Sequence, residues 1–347
     1  MTLSTATVYT AGDCGYFPGV AALVNSLAVV GFSGKVVVLD LGLSDVQRMR
    51  LERVTQVVSA PSAGERDDRL AVSISAKSYL AQLSLSGLIV WIDSDIIITS
   101  ALNDVVRQAA AGKICVIRDD WPEEAQRGFT EWNELFALRQ PVQLRTYVNA
   151  GFFAFSTEAW PELLSLFAEA CTRIQHDRIL VNPPETNPFW AGDQDAFNAV
   201  LMSEVPADAV FHLHPSEMVG SRRMPNASIG DARRLNVTCD GRRVRILHAA
   251  WAPKPWTASA WARAAPNLYL QLLPRLFFAA DVPLRLERSD VAPWLWPGFA
   301  GVAVRRVGVG LGVLRTTVGR AARKLPSGMR SRVFALRNRL DRWLGSR

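Results

Sequence analysis

Short apolar runs rich in Val, Ile and Leu alternate with segments of helical spacing through the first third of the chain. "ATVYT" (6–10), "KVVVLDL" (35–41), "QVVSA" (56–60), "GLIVWI" (87–92) and "KICVI" (113–117) read as strands. Helices are predicted between them: over 18–30 with Pro18 near the first turn, over 45–54 behind Ser44 as N-cap, over 75–85, and over 103–111. Strands that are apolar on both faces and separated by helices imply a mainly parallel sheet covered on both sides. The second part is more mixed. "YVNAGFFAFS" (147–156) has strand character and runs into a predicted helix over 157–175. "NPPETNPFWAGDQDAFNAVL" reads as a Pro-rich loop entering a helix near Asp193. "VRILHAAW" (244–251) is strand-like and carries His248, and "APKPW" (252–256) is a rigid turn. No internal repeat is seen. The Pro- and Trp-rich "VAPWLWPG" (291–298) reads as a linker, giving one α/β domain over 1–290 and a linker plus tail over 291–347.

At 49% hydrophobic and 20% charged residues the 347-residue chain has the means for a sizeable core and does not have the composition of a disordered protein. Met1 to Thr10 reads as the start of a domain rather than a signal peptide. No window holds the roughly 18 apolar residues of a spanning helix. Cys14, Cys115, Cys171 and Cys239 are far apart and form no CxxC pair, the pattern of structural thiols in a reducing compartment. In that setting the sequons at Asn226 and Asn236 carry no weight. The net charge of +7 conceals an asymmetry. Residues 301–347 hold 12 Lys and Arg against one acid, Asp341, whereas the other 300 residues hold 27 basic and 31 acidic residues. Basicity is thus a property of the tail, which argues against nucleic-acid binding by the main domain.

The apolar run "LIVWIDSDIII" (88–98) contains two carboxylates, Asp93 and Asp95. Each is costly to bury alone. Acids two apart on an extended segment point to one side. A hard divalent cation offsets their repulsion, and ligands of such sheets gather at the carboxyl ends of strands. Solvated acids at a strand end are the plain alternative. In "HAAWAPKPW", His248 precedes Lys254 by six residues. An imidazole can complete a carboxylate metal site and moves its preference from Mg toward Mn; an ammonium supplies charge for a phosphate. A packing turn is the alternative there, although only five of the 39 basic residues are lysines. "YVNAGFF" sets Asn149 and a glycine by an apolar strand, suited to sugar hydroxyls or to a buried turn. "GDQDAFN" sets Asp193, Gln194 and Asp195 at a helix start, where acidic capping is the simpler account. His212 and His214 alternate on a strand without nearby acids and read as structural. Trp121 in "RDDWPEE" is a candidate stacking surface for an acceptor sugar or an ordinary loop residue, and Trp132, Trp160 and Trp190 read as core.

Taken together and in order, "TAGDCGYFPGVAALVNSL", "WIDSDI", "VNAGFFAFS", "GDQDAFN" and "HAAWAPKPW" resemble glycosyltransferase family 8, the retaining GT-A enzymes that include glycogenin and the bacterial lipopolysaccharide galactosyl- and glucosyltransferases. The resemblance spans about Thr7 to Trp256, with Trp251 where the family usually has Gly. It implies a GT-A fold, a Rossmann-like, mostly parallel α/β sheet flanked by helices. It implies transfer of a hexose from a UDP-sugar, with Mn²⁺ (or Mg²⁺), retention of configuration, and a glycan or lipid-linked acceptor. By the same resemblance Asp13 and Tyr16 would lie near the uracil, Lys77 near the donor, and Asp93, Asp95 and His248 on the metal. Lys254 would contact the diphosphate, and Asn149, Asp193, Gln194 and Asp195 would surround the donor sugar, with Gln194 or Asp195 on the face opposite the leaving group. A nucleotidyltransferase of related fold is one alternative, opposed by the His248…Lys254-Pro-Trp segment. A catalytically silent, glycan- or membrane-binding relative is the other, opposed by the intact acids.

The tail segment "MRSRVFALRNRLDRWLGSR" (329–347) places Val333, Leu336, Leu340, Trp343 and Leu344 at helical spacing among arginines. An apolar face with a cationic rim is the pattern of an amphipathic helix lying on a membrane, and an anionic leaflet adds about 1 kcal/mol per nearby basic residue. A solvated basic tail is the alternative. The expectation is a cytoplasmic protein held peripherally on the inner face of the membrane. Removing 301–347 is expected to release the protein from anionic liposomes while sparing donor hydrolysis; a truncated chain that still sediments with them contradicts the assignment.

Overall fold

The computed structural model describes residues 6–60, 76–119, 127–220, 226–250, 254–257, 268–298, 301–303, 307 and 328–329. Trp121, Trp251 and the amphipathic pattern of the tail fall outside the described residues. In chain order, β1 (Ala6–Gly12) leads to α1 (Phe17–Val29), β2 (Lys35–Asp40), α2 (Asp45–Glu52), β3 (Gln56–Ser59), β4 (Leu88–Ile92) and β5 (Ile96–Ile98). Then come α3 (Asn103–Ala110), β6 (Ile114–Arg118), α4 (Trp132–Leu135), β7 (Val148–Ser156), α5 (Leu163–Thr172) and α6 (Asp193–Glu204). The remainder is β8 (Val210–Leu213), β9 (Met218–Val219), β10 (Ala227–Asp231), β11 (Asn236–Cys239), β12 (Arg242–Arg243), β13 (Ile246–His248) and α7 (Leu268–Phe278). The chain divides into two compact units, one of Met1–Val20, Gly31–Ile96 and Ala101–Met218, the other of Ala21–Val30, Ile97–Ser100 and Val219–Arg347.

The first unit is built on a seven-stranded sheet of order β3-β2-β1-β4-β7-β6-β8. β1 runs parallel to β2 and β4, β2 to β3, and β6 to β8, while β7 runs antiparallel to both its neighbours. Central β4 and β7 are buried along their whole lengths. Their sequences are therefore continuous apolar runs rather than alternating ones. Phe197 of α6 stacks on Phe153 of β7 at 4.8 Å and meets Phe167 of α5 edge-on at 5.4 Å, so both helices are fixed to the sheet through one aromatic cluster. Asn198 adds a polar clamp: its Nδ2 donates to the Val148 carbonyl and its Oδ1 accepts from the Val148 amide, each at 2.8 Å. The start of β7 and the first turns of α6 are thereby held in register.

Several expectations change in detail. Ser44 does cap α2, and Gln47 completes a reciprocal capping box. The segment expected as a helix over 75–85 is instead a 3₁₀ stretch, Ala76–Gln82. Its buried residues pair three apart, Ala76 with Tyr79 and Lys77 with Leu80, which is the period of that tighter helix. The helix expected from 157 begins only at Leu163. Pro161 disfavours helical backbone at the residue before it.

In the second unit, β10, β11 and β12 form an antiparallel sheet that carried no strand expectation. α7 was likewise unforeseen and accommodates Pro274 within it. Buried Asn25 donates to the carbonyls of Leu276 and Leu284 and accepts from the Leu284 amide, at 2.6, 2.7 and 2.9 Å, satisfying its side chain fully on that segment. Val291, Trp294 and Leu295 are buried, so the stretch read as a linker packs at least through Leu295. Among the described residues no helix is long and apolar enough to cross a membrane.

Candidate active site

β4 ends at Ile92 and the chain turns: the Ile96 amide donates to the Asp93 carbonyl at 3.0 Å, and the Asp93 amide to Gly151 of β7 at 2.8 Å. Asp93, Ser94 and Asp95 therefore lie in a turn at the carboxyl end of a central strand, not on extended backbone as the spacing suggested. The carboxylates approach one another because the chain bends, and the bend carries it into β5. β5 neighbours β13 in a three-stranded sheet of order β5-β13-β9, and β13 ends at His248. A carboxylate oxygen of Asp93 lies within 4.8 Å of one of Asp95. Asp95 and His248 are only 6% and 5% exposed. Two carboxylates at that spacing, one of them largely removed from water, are a donor pair that fits a divalent cation.

Lys77, on the 3₁₀ stretch, is buried beside these acids. Its Nζ donates to Asp193 Oδ2 at 2.5 Å and pairs with Asp93 Oδ1 at 3.3 Å, with the Trp91 ring 5.9 Å away. Burial opposes its charge, but Asp193 and Asp93 overcome that penalty and hold its pKa above the ordinary lysine value. Asp93 Oδ1 also accepts from Trp91 Nε1 at 2.7 Å, so the orientation of this carboxylate is set from two directions.

Past the first turn of α6 a chain of polar contacts crosses the carboxyl end of the sheet. The helix starts after Gly192, whose φ of 59° is one that side-chain-bearing residues rarely adopt. Gln194 donates through Nε2 to Asp119 Oδ2 at 2.6 Å and to Tyr147 Oη at 3.3 Å, and its Oε1 accepts from the Ala150 amide at 3.2 Å. Asn149 Nδ2 donates to the same Asp119 oxygen at 3.1 Å. The β6–β7 register shifts between Val116 and Ile117, opposite this stretch of β7. A bulge of that kind re-aims side chains, and Asn149 is one of them. Asp195 is different from Gln194: it has no exposed surface. Its oxygens accept from Arg127 Nε and Nη2, Tyr147 Oη and the Ala191 amide, at 2.7, 2.5, 2.7 and 2.7 Å. Of the two residues expected on the far face of the donor sugar, Gln194 is the half-buried one and Asp195 is enclosed by protein.

Asp13 shapes the loop after β1, its Oδ1 accepting from the amides of Gly15 and Tyr16 at 2.8 and 2.9 Å, and Tyr16 is half-buried. Lys254 Nζ donates to the carbonyls of Ala249 and Ala250 at 2.9 and 3.1 Å, which holds the ammonium to its own loop. Sequence reasoning missed Asp119, Arg127 and Tyr147 as parts of this network. Asp119 lay in a loop noted only for Trp121. Arg127 is one of 34 arginines and precedes no motif.

No family model and no curated protein matches the chain. Solved structures do. The apo structure of WbbM, a bifunctional glycosyltransferase, aligns with 81% of this chain and 50% of its own at 17% identity and a TM-score of 0.55. The apo form of the glycosyltransferase GlyE from Streptococcus pneumoniae TIGR4 aligns with 81% of this chain and 62% of its own at 14% identity and a TM-score of 0.51. The chain thus spans about half the length of the first and less than two thirds of the second. At such identities the likeness is one of fold. The fold is the GT-A fold of glycosyltransferases, a mostly parallel sheet of seven strands flanked by helices.

Replacing Lys77 with Met leaves buried Asp193 and half-buried Asp93 without their counter-charge. Breaking one side of a buried ion pair costs about 3–5 kcal/mol. Urea unfolding of Lys77→Met is expected to show a loss of that order, and a midpoint equal to wild type contradicts the role given to the pair.

Proposed function

We propose that the protein is a retaining glycosyltransferase that moves a hexose from a UDP-sugar to a glycan acceptor, lipid-linked or on the cell surface. The observation that carries this reading is the pair of carboxylates Asp93 and Asp95 brought together at the carboxyl end of β4, the end at which sheets of this kind bind their ligands. The glycosyltransferases that share the fold support it. Asp93, Asp95 and His248 would hold a divalent cation, which when bound supplies positive charge against a diphosphate leaving group. Lys254, in this reading, exchanges its loop carbonyls for phosphate oxygens. Asp13 and Tyr16 flank the base. Lys77 holds Asp93 and Asp193 in place and keeps that side of the site charged.

The chemistry assigned to the chain is one of positioning and of charge. The bond from the anomeric carbon to the leaving phosphate oxygen breaks, a bond to the acceptor oxygen forms, and the acceptor's proton passes to the leaving phosphate. Asn149, Asp193 and Gln194 would orient the sugar hydroxyls. Gln194 presents a neutral amide oxygen to the ring face rather than a carboxylate, while Asp195 acts from behind it. The basic tail would bring the enzyme to an anionic membrane surface where a lipid-linked acceptor is found.

Asp95→Asn preserves the volume of the side chain and removes its charge. Mn²⁺-dependent hydrolysis of UDP-sugars by this variant is expected to fall by at least roughly a hundredfold with its thermal midpoint retained. Wild-type rates in Asp95→Asn, or a wild-type rate indifferent to chelation of divalent cations, contradict the proposal.

A further inference from the structure

We infer that Arg127 is a positioning residue that fixes which way the amide of Gln194 faces. The inference rests on the transferase reading only for its kinetic consequence. Its structural core is a directional argument. The Arg127 guanidinium meets both oxygens of Asp195, through Nε at 2.7 Å and Nη2 at 2.5 Å. Its remaining donors go to main-chain carbonyls of the loop before α6: Nη1 to Pro184, and Nη2 also to Asn187 at 2.9 Å. The rings of Phe129, Tyr147 and Trp190 lie 5.2 to 5.8 Å from its central carbon. A planar fork so held keeps its partner an ionised carboxylate.

An ionised carboxylate only accepts. The Tyr147 hydroxyl, 2.7 Å from Asp195 Oδ1, must therefore donate to it. Burial and the neighbouring Asp195 both raise the pKa of Tyr147, which keeps that proton in place. With its hydrogen spent, the phenolic oxygen has only lone pairs left for Gln194, so it faces the NH₂ end of the amide at 3.3 Å. Asp119 Oδ2, also an acceptor, takes the second hydrogen at 2.6 Å. The amide oxygen is left for the Ala150 N–H at 3.2 Å. Polarity thus runs from Arg127 through Asp195 and Tyr147 to Gln194, and on through Asp119 to Asn149. Without Arg127, Asp195 would be an enclosed acid with no counter-charge, and a protonated Asp195 would free Tyr147 to donate toward Gln194 and turn the amide over.

Selective ¹⁵N labelling of glutamine side chains reads the amide directly, with the Gln194 signal identified by its absence in Gln194→Met. In Tyr147→Phe, which keeps the ring and loses the hydroxyl, the Gln194 NH₂ resonances are expected to move, while the thermal midpoint changes little. In Arg127→Met, which loses the counter-charge of Asp195, they are expected to move as well, whereas Arg127→Lys, which keeps the charge, is expected to leave them near their wild-type positions. With a UDP-sugar donor, kcat of Tyr147→Phe is expected to fall by roughly tenfold to a hundredfold with donor KM within about twofold. A packing role alone would lower the midpoint and leave kcat and KM in their wild-type ratio. Unchanged Gln194 resonances in Tyr147→Phe overturn the inference. A wild-type protein that turns over no nucleotide sugar overturns the transferase reading instead, and the resonances still decide this one.

Discussion

Three charges organise the site: the buried ammonium of Lys77, the buried carboxylate of Asp193 and the half-buried carboxylate of Asp93. Any of them alone in this position would be costly, because burial removes the water that stabilises charge. The ammonium lies 2.5 Å from Asp193 and 3.3 Å from Asp93, and the two carboxylates keep its charge in place despite burial. The arrangement also has a mechanical consequence. Lys77 belongs to the 3₁₀ stretch, Asp93 to the turn after β4 and Asp193 to the first turn of α6. One cation therefore ties together three segments that are far apart in sequence, at the end of the sheet where α/β proteins place their ligands.

The second network beside it is built on the same logic with different parts. Arg127 compensates Asp195 as Lys77 compensates Asp193, but through a bidentate fork and with no exposed surface on the acid. The two acids of the first α6 turn are thus both neutralised from outside the helix. Gln194, between them in sequence, is the residue left half-buried. A neutral side chain flanked by two anchored carboxylates can be oriented firmly without bringing further charge to the cavity. Both acids also stand in the first turn of α6, where the helix dipole favours negative charge, although no side chain caps Gly192.

Much of this was legible in the sequence where the information is local. β1, β2 and β4 follow from continuous apolar runs, and α2 from Ser44 and Gln47 at capping-box spacing. The pair Asp93 and Asp95 stood out because charge inside an apolar run demands a reason. What the pattern could not show was long-range. Lys77 was expected near the donor, but nothing in the residues pointed to its pairing with Asp93 and Asp193. Arg127 is indistinguishable from any other arginine until its four hydrogen bonds are traced to Asp195, Pro184 and Asn187. The helix expected over 75–85 is a 3₁₀ stretch that buries Ala76, Lys77, Tyr79 and Leu80. The turn at Asp93–Asp95 was read as extended, since nothing in the residues marks where β4 leaves the sheet. The strands β10 and β11 alternate over only five and four residues, too short a window to stand out, and Pro274 sits inside α7 where a proline ordinarily argues against a helix.

The central claim is that Asp93, Asp95 and His248 form one cation site. Electron paramagnetic resonance of free Mn²⁺, titrated with the full chain in the presence of UDP, measures this without requiring turnover. The account predicts a single tight Mn²⁺ per chain, with affinity reduced at least roughly tenfold in His248→Ala while that variant remains folded. Mn²⁺ affinity equal in His248→Ala and wild type, or no Mn²⁺ bound by the wild-type chain, would contradict it.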